Sequence, residues 1–115
     1  MKLSDLTPKQ KTRLLAELDG WTGVQYNPKD GIIGIYPNSK TQRYEICPRY
    51  LNSYDAIIPL VQKLFSVKNF RSFDYALTRV CIGNISTPMA SYNTLTATPS
   101  QLCDAVLVAT GKVEI

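Results

Sequence analysis

Thr98-Pro99-Ser100-Gln101-Leu102-Cys103-Asp104-Ala105-Val106-Leu107-Val108-Ala109-Thr110-Gly111 spells out a complete helix. Thr98 can accept from the free amides of a first turn, Pro99 brings a preset φ where its missing N–H is no loss, and Gln101 can reach back to close a capping box. The spelling predicts a helix from about Pro99 to Thr110, stopped at Gly111. Thr7-Pro8-Lys9-Gln10 repeats the device near the other end of the chain. Between these two starts the sequence reads mainly as strand.

Working outward, the first helix is predicted from Pro8 to about Asp19, with Leu14, Leu15 and Leu18 on one stripe and Gly20 as its stop. Trp21 follows at once and is expected to fold back on the same core. Asn27-Pro28-Lys29-Asp30-Gly31 is a turn cluster, and Ile32-Ile33-Gly34-Ile35-Tyr36 a β-rich run. After a second turn at 37–40, Gln42 to Cys47 alternates, with Tyr44 and Ile46 on one face and Arg43 and Glu45 on the other, as in a half-buried strand. These two runs make a predicted hairpin. Ser53 is a candidate N-cap for a second helix burying Ile57, Leu60, Val61, Leu64 and Phe65, in which Pro59 requires either a start near Asp55 or a kink.

Phe73 to Ile82 is aromatic and β-branched with both parities apolar, which reads as a central strand; Gly83 to Pro88 reads as a turn and Ala90 to Ala97 as its antiparallel partner. The predicted fold class is α+β, a small, mainly antiparallel sheet packed by about three helices in one domain spanning 1–115. At 115 residues, 44% hydrophobic and 19% charged, the chain is long enough to bury a substantial core.

Tyr50-Leu51-Asn52-Ser53-Tyr54-Asp55-Ala56-Ile57-Ile58-Pro59-Leu60-Val61, taken with Ala97-Thr98-Pro99 and the helix that follows, resembles the phage ABA sandwich domain. That family comprises short proteins of phages, prophages and bacteria, with a capped helix carrying Asp-Ala and Leu-Val pairs, then strands, then Ala-Thr-Pro opening a last helix. The Leu6-Thr7-Pro8 start is compatible with it. The resemblance implies a helix–sheet–helix sandwich and a phage or prophage context. The family has no established activity, so it implies no catalytic residues.

Nothing in the residue pattern carries a reaction. Histidine is absent, which removes the commonest general base and zinc ligand. Cys47, Cys81 and Cys103 are unclustered and lack C-x-x-C spacing, as expected of reduced thiols in the cytoplasm, where the Asn84-Ile85-Ser86 sequon would have no meaning. Cys103, near a helix start, could have its thiol pKa lowered by the dipole, but a small core residue is the simpler reading. The carboxylates are scattered, with Asp55 and Asp104 read as dipole partners, and no glycines form a phosphate loop. Catalytic, cofactor and metal sites are therefore all expected to be absent.

Thirteen basic against nine acidic residues give a net charge of +4, which favours acidic partners. The chain opens on a charged helix rather than a secretory leader, and no apolar run reaches the ~18 residues that span a bilayer, so a cytoplasmic protein without membrane contact is expected. Lys63, Lys68 and Arg71, interleaved with Phe65 and Phe70 and able to join Lys9, Lys11 and Arg13 in one surface, form a candidate nucleic-acid patch. Against it, Phe65 fits a helix stripe, and Phe70 or Phe73 can enter the core. Tyr36, Tyr44 and Tyr50, with Tyr26 and Tyr54 nearby in sequence, form a candidate protein interface. The reading is a non-enzymatic interaction module for a host or phage protein, with nucleic-acid binding as the alternative. The Ile32 to Tyr36 run is also a candidate edge strand for a homo-oligomer.

Overall fold

The structure is a computed structural model and describes residues 2–38, 40–65, 70–82 and 97–114. It is an α+β fold in which the described residues form four α-helices and one three-stranded antiparallel sheet. The helices are α1 (Pro8–Leu18), α2 (Tyr54–Leu64), α3 (Phe70–Ile82) and α4 (Pro99–Ala109). The strands are β1 (Thr22–Asn27), β2 (Gly31–Ile35) and β3 (Tyr44–Ile46), and short 3₁₀ turns lie at Leu3–Asp5 and Tyr50–Asn52.

Helices α1 and α4 are built alike. In α1 the Gln10 N–H donates to Thr7 Oγ1 at 3.2 Å while the Thr7 N–H donates to Gln10 Oε1 at 2.8 Å. Thr98 and Gln101 repeat the reciprocal pair at 3.2 and 2.9 Å. Both helices end in the same way: the Trp21 N–H donates to Ala16 O and the Lys112 N–H to Leu107 O across Gly20 (φ +100°) and Gly111 (φ +78°). That six-to-one bond needs a left-handed residue at the turn, which glycine adopts without a Cβ penalty.

Helix α4 is the hub. Leu102, Cys103, Ala105, Val106 and Leu107 are buried on it, and α1, α2, α3 and the Tyr50–Asn52 turn all pack against it. Lys11 Nζ lies 2.9 Å from Asp104 Oδ1 and ties α1 to α4. The approach falls outside hydrogen-bond angles, so this contact is an ion pair held by charge. Trp21 is buried as expected, turned back by the end of α1.

In α2, Ile57, Leu60 and Val61 are buried, Phe65 is buried just past the end, and Leu64 is half-buried. Ser53 caps through its backbone carbonyl, which accepts from the Ala56 and Ile57 N–H groups; its side chain makes no capping bond. Pro59 sits within the helix, on its exposed side. The carbonyl that loses its helical donor there belongs to Asp55, also exposed, where water can replace the bond.

Four sequence expectations are corrected. Residues 73–82 are not a strand but the body of α3, with Phe73, Ala76 and Leu77 buried and Val80 packed on the core. Those positions recur at intervals of three and four, and a short, strongly apolar run leaves that pattern hard to separate from two apolar strand faces. Second, Thr22–Asn27 is a strand, although the stretch from Val24 to the Asn27 turn reads as loop in the sequence; it pairs with β2 and carries a bulge between Thr22 and Gln25. Third, Tyr44, Glu45 and Ile46 are all exposed, so β3 is an edge rather than a half-buried strand. Fourth, β2 lies between β1 and β3, leaving the Ile32 to Tyr36 run no free edge for pairing with another copy. The predicted turn at 83–88 lies outside the described residues, as does its partner strand except for Ala97, which is buried and outside any strand.

Candidate functional site

The sheet has two unlike faces. Directly opposed residues in an antiparallel ladder share a face, and β2 alternates along its length. One face carries Val24, Ile32 and Gly34 and packs toward α1; Gly34 and Val24 are buried there, and Ile32 packs on the core. A Cβ at Gly34 would meet Thr22 O at 3.2 Å and the Val24 side chain at 3.3 Å, so the close approach of β1 to β2 favours glycine.

The opposite face carries Ile33, opposed by Ile46 and Gln25, and Ile35, opposed by Tyr44 and Thr22. Ile33 and Ile35 are half-buried and outside the core cluster, while Tyr44 and Ile46 are 52% and 58% exposed. Tyr44 reaches across the sheet until its hydroxyl stands 3.2 Å from where a Cβ on Gly23 would be, at a β1 residue with φ +59°. Three isoleucines and a tyrosine thus form a continuous apolar surface facing away from α1.

The candidate tyrosines separate by what they touch. Tyr44 lies on this face. Tyr36 is 55% exposed and stands edge-on to Trp21, with ring centroids 5.3 Å apart. Tyr50 is fully buried and donates to Asp19 Oδ2 at 2.7 Å, so it is not at the surface. Burial, and then the Asp19 carboxylate that accepts its hydrogen bond, push its pKa above the ordinary phenol value. Tyr54 donates to the Ala97 carbonyl at 2.6 Å, and Tyr26 lies beneath the Lys9 ammonium, 4.0 Å from the ring centroid.

The basic candidates differ in what they touch. Lys63 donates to Asp19 Oδ1 at 3.1 Å and to the Asp19 carbonyl, so its ammonium is engaged at the end of α1. Arg71 is exposed on the first turn of α3, and Lys68 lies outside the described residues. Of the interleaved aromatics, Phe65 and Phe73 are buried against each other with centroids 5.1 Å apart, and Phe70 is half exposed against Phe73.

Cys47 and Cys103 are free and buried; burial pushes the Cys47 thiol up to about 11. The Cys103 thiol is pushed up to about 12, by burial first and then by the adjacent Asp104 charge, which outweigh Lys11. Neither holds an appreciable thiolate fraction near neutral pH. Among the described residues no group of three or more Cys, Asp or Glu is placed to hold a metal ion, and no helix is long and apolar enough to cross a membrane.

The isoleucines on the sheet face are not evident as site residues from the sequence. Their signal was present in the spacing of Ile33 with Ile35 and of Tyr44 with Ile46, but a shared face follows only once the β2–β3 register is known. No family model, no curated protein and no solved structure matches this chain.

Proposed function

We propose that this protein is a non-enzymatic interaction module that binds a protein partner through the sheet face formed by Ile33, Ile35, Tyr44 and Ile46. The observation that carries the reading is the exposure of Tyr44 and Ile46, at 52% and 58%, on a face whose other apolar residues are not part of the core. Contiguous apolar patches containing aromatics mark association surfaces, because each large side chain withdrawn from water contributes on the order of 1.5–3 kcal/mol. Tyr44 adds a rigid ring of low conformational entropy. The phage or prophage accessory role implied by the Ala97-Thr98-Pro99 resemblance gives the partner a context, a phage or host protein.

The test compares capture by three forms of the full chain: wild type, Ile46→Lys, and a control, Asp74→Asn, on the exposed side of α3. A partner retained by wild type and the control but lost from Ile46→Lys supports the reading. A partner retained equally by all three opposes it.

A further inference from the structure

At the β3 end of the sheet, between the first turn of α1 and the chain that leaves β3, lies an open cleft of about 260 Å³. Ile32, Cys47 and Leu51 give it an apolar floor, and Lys9, Asp30 and Arg49 stand on its lining. Burial keeps the Cys47 thiol protonated, so it belongs to the apolar part of the wall. Neither Lys9 nor Arg49 enters an ion pair within the described residues, although Lys11, Arg13 and Lys63 all do. Lys9 is instead drawn over the Tyr26 ring on β1.

From this arrangement we propose that the cleft is a binding site for a small organic monocarboxylate, with the carboxylate at Arg49 and Lys9 and an apolar body on Ile32, Cys47 and Leu51. Two cations against the Asp30 carboxylate leave one positive charge, which matches a single negative charge better than a dianion. The guanidinium fork suits a planar carboxylate. The volume lies below the range of drug-sized sites, so the ligand has roughly a dozen non-hydrogen atoms, and a dissociation constant on the order of 1 mM follows for so small a body. Ile46 of β3 also lines this cleft, so the site borders the outer sheet face, but the proposal does not rest on that face binding a partner.

The experiment is a titration of the isotope-labelled full chain with 4-phenylbutyrate, read by amide and methyl NMR shifts. The probe's neutral amide and phenyl phosphate are titrated in parallel. The expected result is saturable shifts centred on Lys9, Ile32, Cys47, Arg49 and Leu51, with the amide and the dianion each at least about fivefold weaker. Arg49→Gln is expected to weaken 4-phenylbutyrate by a similar factor with the rest of the spectrum unchanged. Lys9→Gln serves the same purpose should Arg49→Gln not fold. Absence of saturable shifts at the cleft, equal binding of the amide, tighter binding of phenyl phosphate, or unchanged affinity in a folded variant would each overturn the proposal.

Discussion

The phenol of Tyr50 donates a 2.7 Å hydrogen bond to Asp19 Oδ2, joining the end of α1 to the turn that precedes α2, and Lys63 of α2 reaches the other carboxylate oxygen at 3.1 Å. One carboxylate therefore ties three segments together. Its two partners are unequal, because Tyr50 is fully buried and the Lys63 side chain is about half exposed. A buried hydrogen bond to a charged acceptor is worth more than a solvent-screened ion pair.

Tyr50→Phe is accordingly predicted to cost about 1–2 kcal/mol, since it leaves the partly buried Asp19 oxygen without its donor. Lys63→Ala is predicted to cost under ~1 kcal/mol. Urea unfolding of the two variants and their double checks both magnitudes, and equal costs would contradict the ranking.

Thr7→Ala and Thr98→Ala each remove one half of a capping box and leave an orphan amide in the first turn. Each is predicted to destabilise by about 1 kcal/mol. Thermal unfolding of both variants measures the loss, and their double variant shows whether the losses add.

The capping boxes were legible in the sequence because every participant lies within three residues of its partner. The Asp19 tie was not, since Tyr50 and Lys63 are 31 and 44 residues away from it. Helix α3 reads as a strand because Phe73, Ala76, Leu77 and Val80 are as apolar as a buried strand and no Thr-Pro-x-Gln spelling like that of α1 and α4 precedes it. β1 carries no clear strand signal because Thr22, Gln25 and Asn27 are polar and Gly23 interrupts the run; its pairing with β2 makes it a strand. The tyrosines were recognisable as a group, yet their separation into buried Tyr50 and exposed Tyr36 and Tyr44 depends on contacts between distant segments.

Gly23→Ala tests the bulge beneath Tyr44. The φ of +59° opposes an L side chain, and the new Cβ would stand 3.2 Å from the Tyr44 hydroxyl. A loss of about 1–2 kcal/mol is predicted by chemical denaturation. Adding Tyr44→Phe should recover the steric part and leave the backbone part.

The two buried thiols set an alkaline limit. In the unfolded chain both ionise near pH 9, whereas in the fold Cys47 holds its proton to about 11 and Cys103 to about 12. Above pH 9 the unfolded state has therefore lost protons that the folded state keeps, and stability falls as pH rises toward 11–12. Denaturation midpoints at pH 8 and 10.5 are predicted to decline, and to decline less in a Cys47→Ala/Cys103→Ala variant. A thiol reagent at pH 8 should modify neither cysteine until the protein is unfolded.

The most direct measurement of the sheet-face account is site-specific photocrosslinking in cells, with a benzophenone side chain placed at position 44 in one form of the protein and at position 75 in another. Tyr75, at 66%, is even more exposed than Tyr44, but it lies on α3, away from the isoleucines. The account predicts a discrete protein adduct from position 44 that disappears when Ile46 is replaced by Lys, and none from position 75. An adduct from position 75 alone, or one from position 44 that survives Ile46→Lys, would contradict it.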